Sequence, residues 1–65
     1  MKTEINPQEE AQNIFEDILE ERKGFEYEVY GMSKEDALET VEAYGYQGKM
    51  AKEISEYLWS LAEGI

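Results

Sequence analysis

One stretch decides the fold, NPQEEAQNIFEDILEERK at residues 6–23. Its apolar side chains recur at spacings of three and four residues, the period that places them on one face of an α-helix; they are Ala11, Ile14, Phe15, Ile18 and Leu19. Asn6 is a favoured helix N-cap, and Pro7 suits the first helical position because it has no backbone N–H to leave unpaired. The pattern predicts an amphipathic helix that begins after Asn6 and stops before Gly24.

The face opposite this apolar stripe is almost entirely acidic. Its six carboxylates lie on about 18 Å of helix axis; they belong to Glu9, Glu10, Glu16, Asp17, Glu20 and Glu21. Like charges four residues apart destabilise a helix by about 0.2–0.5 kcal/mol per pair. Because Glu16 and Glu20 form one such pair, and Asp17 and Glu21 another, we infer that a cationic partner relieves the repulsion.

The next segment, FEYEVY at residues 25–30, alternates with a period of two residues. Aromatic and β-branched side chains in this pattern are typical of a strand. A single strand leaves backbone groups unpaired, so we expect it to pair with the N-terminal residues, with a second copy of the chain or with a partner, or to pack as an extended connector.

Two further helices are predicted, at residues 34–44 after a Ser33 cap and from residue 47 or 48 to residue 63. All three predicted helices are followed by glycine and a large apolar residue, the ending in which glycine adopts positive φ. The inward-facing positions of the later two helices are Ala37, Leu38, Val41, Tyr44, Met50, Ala51, Ile54, Leu58, Leu61 and Ala62.

These elements predict a mainly α fold in one small acidic domain, residues 1–65. It is a compact three-helix domain with one short extended or β segment, residues 25–30, between the first and second helices. The alternative is a plain three-helix bundle without a strand. A chain of this length has too little surface to bury for a second domain.

Charge restricts the class of partner. Sixteen acidic and six basic residues give a net charge of −10, and residues 4–42 carry all of this charge. High net charge is typical of disordered chains, but 12% of the residues are aromatic, which favours a folded chain. An acidic surface repels nucleic acid and anionic lipid, so we expect no direct binding to either.

No apolar run approaches the ~20 residues of a membrane span, and the N-terminus lacks the apolar middle of a signal peptide. We therefore expect a cytoplasmic protein.

Catalysis and metal binding lack their usual residues. The chain has no histidine and no cysteine, which are the commonest bases, nucleophiles and zinc ligands. Paired carboxylates need a concave site to separate their pKa values, and a chain this short has little interior to form one. Nothing resembles a calcium-binding EF-hand loop. We expect no enzyme, no cofactor and no metal.

Aromatic side chains crowd between residues 25 and 46 beside the acids, and some of them must face water, where tyrosine is favoured at interfaces. We expect Tyr27 and Tyr30 to anchor a contact in which carboxylates imitate phosphates. The predicted partner-binding residues are Glu16, Asp17, Glu20, Glu21, Tyr27, Glu28, Tyr30, Glu35, Asp36, Glu39 and Glu42.

In size, acidity and aromatic content the chain resembles the small inhibitors that bacteriophages make against restriction enzymes, CRISPR effectors and other nucleic-acid-binding host proteins, a class that shares composition and no motif. The resemblance implies a non-enzymatic anti-restriction or anti-CRISPR inhibitor that binds a basic protein groove as a nucleic-acid mimic. Two alternatives remain open: an adaptor or homodimerising module that uses the 25–30 edge and Trp59, and an antitoxin-like regulator of a basic toxin.

Overall fold

A computed structural model describes residues 6–63 and contains four helices there, which are α1 (Pro7–Glu21), α2 (Tyr27–Tyr30), α3 (Lys34–Ala43) and α4 (Gly48–Glu63). The mainly helical, compact fold is confirmed. The radius of gyration is 11.5 Å, close to the ~11 Å expected for a compact domain of this length. None of the described helices is both long enough and apolar enough to cross a membrane.

Helix α1 starts as the sequence predicts. The Asn6 side-chain oxygen accepts hydrogen bonds from the backbone N–H groups of Gln8, at 3.0 Å, and Glu9, at 3.4 Å, which satisfies two of the donors that every helix start leaves free. The chain leaves the helix through Gly24, whose φ of +94° is a conformation that L side chains rarely adopt. This turn directs the following residues back toward the rest of the domain.

The predicted extended segment at residues 25–30 is wrong. Residues Tyr27–Tyr30 instead form the single helical turn α2, so the described chain has four helices where three were predicted. The backbone N–H of Val29 donates to the Glu26 carbonyl at 2.9 Å, and that of Glu28 donates to the Phe25 carbonyl at 3.0 Å. Because residues 6–63 contain no strand to pair with, a local turn is the conformation that satisfies these backbone groups.

Helix α3 begins at its predicted cap, where the Ser33 hydroxyl accepts from the Asp36 backbone N–H at 3.1 Å. The helix ends at Ala43, and Gly45 follows with φ of +104°. Tyr44 does not belong to the buried stripe predicted for it, since it caps the helix and is 43% exposed. Tyr44 is the first residue after the helix, so its side chain lies at the turn between α3 and α4 and not on the inner face of α3.

Helix α4 is the centre of the domain, because α1, α2 and α3 all pack against it. The Ser55 hydroxyl is buried within α4 and donates to the Lys52 carbonyl at 2.8 Å, so its burial leaves no polar atom unsatisfied. The fully buried core consists of Ala11, Ile14, Phe15, Val29, Ala37, Val41, Ala51, Ile54, Leu58 and Ala62. All of these except Val29 were predicted to face inward.

Trp59 is half-buried against this core, and the Lys34 ammonium lies 4.7 Å from the centre of its ring. The indole therefore covers the edge of the core with a cation above it. Two predictions fall outside the described residues: pairing of the 25–30 segment with residues 1–5, and the glycine ending at residues 64–65.

Candidate functional site

The acidic residues of α1 form two parallel rows. Residues four or seven positions apart lie above one another on a helix, so the outer row consists of Glu9, Glu16 and Glu20, and the inner row consists of Glu10, Asp17 and Glu21. Glu10 is half-buried, whereas the other five carboxylates are exposed. The two rows differ in what they contact.

Two of the three inner-row acids, Glu10 and Asp17, are hydrogen-bonded to tyrosines of the turn between α3 and α4. The Tyr44 hydroxyl donates to Oδ2 of Asp17 at 2.5 Å, and the Tyr46 hydroxyl donates to Oε1 of Glu10 at 2.6 Å. The bond to Asp17, burial, and the charges of Asp17 and Glu21 raise the pKa of Tyr44 to about 12. The bond to Glu10, burial and the charge of Glu10 likewise raise the pKa of Tyr46. Both hydroxyls therefore keep their protons at neutral pH and hold α1 against the α3–α4 turn.

The end of α1 meets α2 and α3 around a surface depression of about 310 Å³, which we call the acidic depression. Ile18, Val29 and Met32 supply its apolar lining. Its carboxylates come from three separate helices and are those of Glu21, Glu28, Asp36 and Glu39. Four carboxylates and the single guanidinium of Arg22 leave this depression with a formal charge of −3.

Internal neutralisation of these acids is slight. Arg22 pairs with Glu28 at 3.1 Å, and this is the only ion pair within residues 6–63. Both side chains are about half-exposed, so the pair contributes at most about 1 kcal/mol. The remaining carboxylates around the depression are left for solvent or for a partner's cations.

A second depression, of about 260 Å³, shares no lining residue with the first. It is lined by Leu19 and Lys23 and by three carboxylates, those of Glu16, Glu20 and Glu26. Arg22 and Glu28 border the first depression, whereas Lys23 and Glu26 border the second. The 22–28 segment therefore contributes residues to both acidic depressions.

This segment also carries two exposed aromatic rings, Phe25 and Tyr27, which we call the aromatic pair. They are 56% and 69% exposed, and their ring centres lie 6.3 Å apart. Tyr30, the other predicted anchor, is half-buried with its ring 6.1 Å from that of Phe15. Of the two predicted anchors, Tyr27 is exposed, whereas Tyr30 packs against the core.

The predicted partner-binding residues separate into groups. The acidic depression collects Glu21, Glu28, Asp36 and Glu39, and the second depression collects Glu16 and Glu20. Asp17 adjoins the acidic depression through its bond to Tyr44. Glu35 lies apart, in a depression between α3 and α4 with Lys34 and Lys52. Glu42 is exposed on α3.

Sequence reasoning missed Phe25, Arg22 and Met32 as members of this surface. Phe25 follows Gly24, and an apolar residue at that position ordinarily packs back on its helix, so the sequence contains no sign of its exposure. No group of three or more carboxylates within residues 6–63 converges closely enough to hold a metal ion.

Comparison of the chain with protein-family models, curated proteins and solved structures gives no match.

Proposed function

We propose that this chain is a non-enzymatic inhibitor that occupies the basic nucleic-acid-binding groove of a target protein, in the manner of the inhibitors that bacteriophages direct against restriction enzymes and CRISPR effectors. The observation that carries the proposal is the distribution of acids around the 22–28 segment. Carboxylates from α1, α2 and α3 line two depressions to which this segment contributes, while residues 6–63 supply one internal ion pair, that of Arg22 and Glu28.

The charge spacing supports mimicry. Between Glu9 and Glu21, α1 carries six carboxylates, or one per about 3 Å at a rise of ~1.5 Å per residue. One nucleic-acid strand carries a phosphate every ~3.4 Å of helix axis. Two of the six, Glu10 and Asp17, are hydrogen-bonded to Tyr46 and Tyr44. A groove that follows a phosphate backbone with lysine and arginine would meet the other four, about one per 4.5 Å of axis, a lower density of negative charge but of the same order.

The stability of α1 supports a cationic partner as well. Glu16 and Glu20 are exposed, lie four residues apart and line the same depression, so they repel each other in the free protein. Docked cations would remove this repulsion, and release of counterions from both surfaces would make binding strongly dependent on salt. An antitoxin-like regulator of a basic toxin would use the same surface.

The adaptor alternative keeps one supporting observation, the exposed aromatic pair. Its other two elements are weakened, because α2 presents no strand edge and Trp59 is half-buried beneath Lys34. An adaptor that binds through apolar contacts would be insensitive to salt, which separates it from the inhibitor.

The test is capture of partners from a bacterial lysate on the immobilised chain at low and high salt. Three proteins are compared: wild type, Glu16→Lys with Glu20→Lys, and a matched control with Glu53→Lys and Glu56→Lys, two exposed residues of α4. Both variants change the net charge by the same amount, and circular dichroism checks that each remains helical. We expect the first variant to lose the captured nucleic-acid-binding proteins and the control to keep them. Equal capture by all three proteins would refute mimicry.

A further inference from the structure

The aromatic pair is exposed beside a helical turn that is anchored in the core. Helix α2 is fixed by Val29, which is 2% exposed in the core, and by the packing of Tyr30 on Phe15. Tyr27 is the first residue of this turn and Phe25 lies two residues before it, and they are 69% and 56% exposed. Aromatic side chains have only two rotatable side-chain bonds, so they lose little conformational entropy when a partner covers them, which suits an interface anchor.

No lysine or arginine of the described residues lies over either ring. Within residues 6–63 the only cation over an aromatic ring is Lys34 over Trp59. Phe25 and Tyr27 are both more than half exposed, and residues of the segment that carries them line both acidic depressions. A cation over either ring would meet the negative ring face and nearby carboxylates together.

We propose that the aromatic pair binds arginine side chains of a basic partner protein. This inference rests on the proposed function and specifies how the partner is recognised. A guanidinium stacks flat on an aromatic ring and still directs N–H groups outward to carboxylates, whereas an ammonium is compact and strongly hydrated. Arginine can therefore use the rings and the acids of this surface at once.

A second copy of the chain is the other candidate for covering the aromatic pair. Each copy carries a formal charge of −10, and Glu26 and Glu28 are sequence neighbours of the rings. Self-association through this surface would bring together two sets of carboxylates that outnumber the basic side chains beside them, which is unfavourable at any but high salt. Charge complementarity selects the cationic partner.

The experiment measures the affinity of the full chain for octa-arginine and octa-lysine at low salt by titration calorimetry. The variant is Phe25→Leu with Tyr27→Leu, which keeps apolar side chains and removes both rings. The matched control is Tyr57→Leu, which removes a 43% exposed ring from α4. We expect wild type and control to prefer octa-arginine by the same factor, and the double variant to lose about twofold to fivefold of that preference.

Each other outcome overturns the inference, and the outcomes separate it from the proposed function. If the double variant keeps the full arginine preference, the rings do not bind arginine, and salt-sensitive binding of both peptides leaves the inhibitor proposal standing. If wild type binds neither peptide, both proposals fall. If wild type sediments as a dimer and the double variant as a monomer, the aromatic pair is a self-association surface.

Discussion

The Tyr44 hydroxyl donates a 2.5 Å hydrogen bond to Oδ2 of Asp17, a residue 27 positions earlier in the chain. The bond joins the end of α3 to the middle of α1, two helices that pack mainly on α4. Together with the bond from Tyr46 to Glu10, it assigns two members of the inner row, Asp17 and Glu10, to folding. Within residues 6–63 the outer row makes no such bond, so the two groups of acids can be tested separately.

Replacing Tyr44 with phenylalanine removes this bond and keeps the ring. We expect the free energy of unfolding to fall by about 1 kcal/mol, which lowers the melting temperature of a domain this small by about 4–8 °C. Tyr27→Phe is the control, because Tyr27 is 69% exposed and its hydroxyl donates no hydrogen bond to residues 6–63. Equal melting temperatures for the two variants would show that the Tyr44 bond contributes nothing.

Stability should also depend on alkaline pH through the same bond. The pKa of Tyr44 is raised from 10.0 to about 12, first by its bond to Asp17. A raised pKa in the folded state means that the stabilisation is complete below pH 10 and is lost as pH rises toward 12. We expect urea unfolding at increasing pH to show this loss in wild type and a smaller loss in Tyr44→Phe. Identical pH profiles would contradict the assignment.

Neutralising the outer row should stabilise the free protein. Glu16→Gln with Glu20→Gln removes one like-charge pair, for a gain of about 0.2–0.5 kcal/mol, while reducing partner binding. In the control, Glu53→Gln with Glu56→Gln, each glutamate follows a lysine by four residues, Lys49 and Lys52, so no gain is expected. Chemical denaturation at low salt measures both variants. A loss of stability in the outer-row variant would mean that these acids have a structural role.

The anchoring of α2 predicts a large effect from a small change. Val29→Ala deletes buried methyl groups from the core. It should lower the free energy of unfolding by about 2 kcal/mol, because apolar burial is lost and the cavity is incompletely filled. Tyr27 lies two positions earlier and is exposed, so Tyr27→Ala should lower the free energy of unfolding far less. Denaturant titration compares them. Comparable losses would indicate that α2 does not depend on Val29 for its position.

The turn after α3 needs glycine for its backbone conformation. Gly45 has φ of +104°, and an alanine there should destabilise the domain by about 1–2 kcal/mol through strain alone, since no atom lies within 4 Å of the added carbon. Gly31 has φ of −99°, so Gly31→Ala should be tolerated. Thermal melts compare the melting temperatures of the two variants. A Gly45→Ala variant that melts at the same temperature as wild type would contradict the positive φ assigned to this turn.

The local features of this fold were predictable from the sequence. Caps at Asn6 and Ser33 and glycines at positions 24 and 45 act within a few residues, and all four are found as predicted. Segment 25–30 was not predictable in this way, because six residues of alternating pattern fit either a strand or a turn. Residues 6–63 contain no strand with which this segment could pair, and it forms a helical turn.

The surface was predictable in its charge and not in its layout. The bonds from Tyr44 and Tyr46 to α1 span 27 and 36 residues, and no local signal marks them. Glu35 and Asp36 are neighbours in sequence, yet they border different depressions because adjacent helical residues point about 100° apart. Which acids lie together depends on how α3 packs on α4.

The most direct test of the central proposal is competition between duplex DNA and this chain for a partner that it captures. The partner is recovered from lysate at low salt, and its binding to the labelled chain is measured as duplex is added. We predict that duplex displaces the chain and that the logarithm of the affinity falls linearly with the logarithm of salt concentration. Simultaneous binding of the chain and the duplex, with an affinity that salt does not change, would contradict the account.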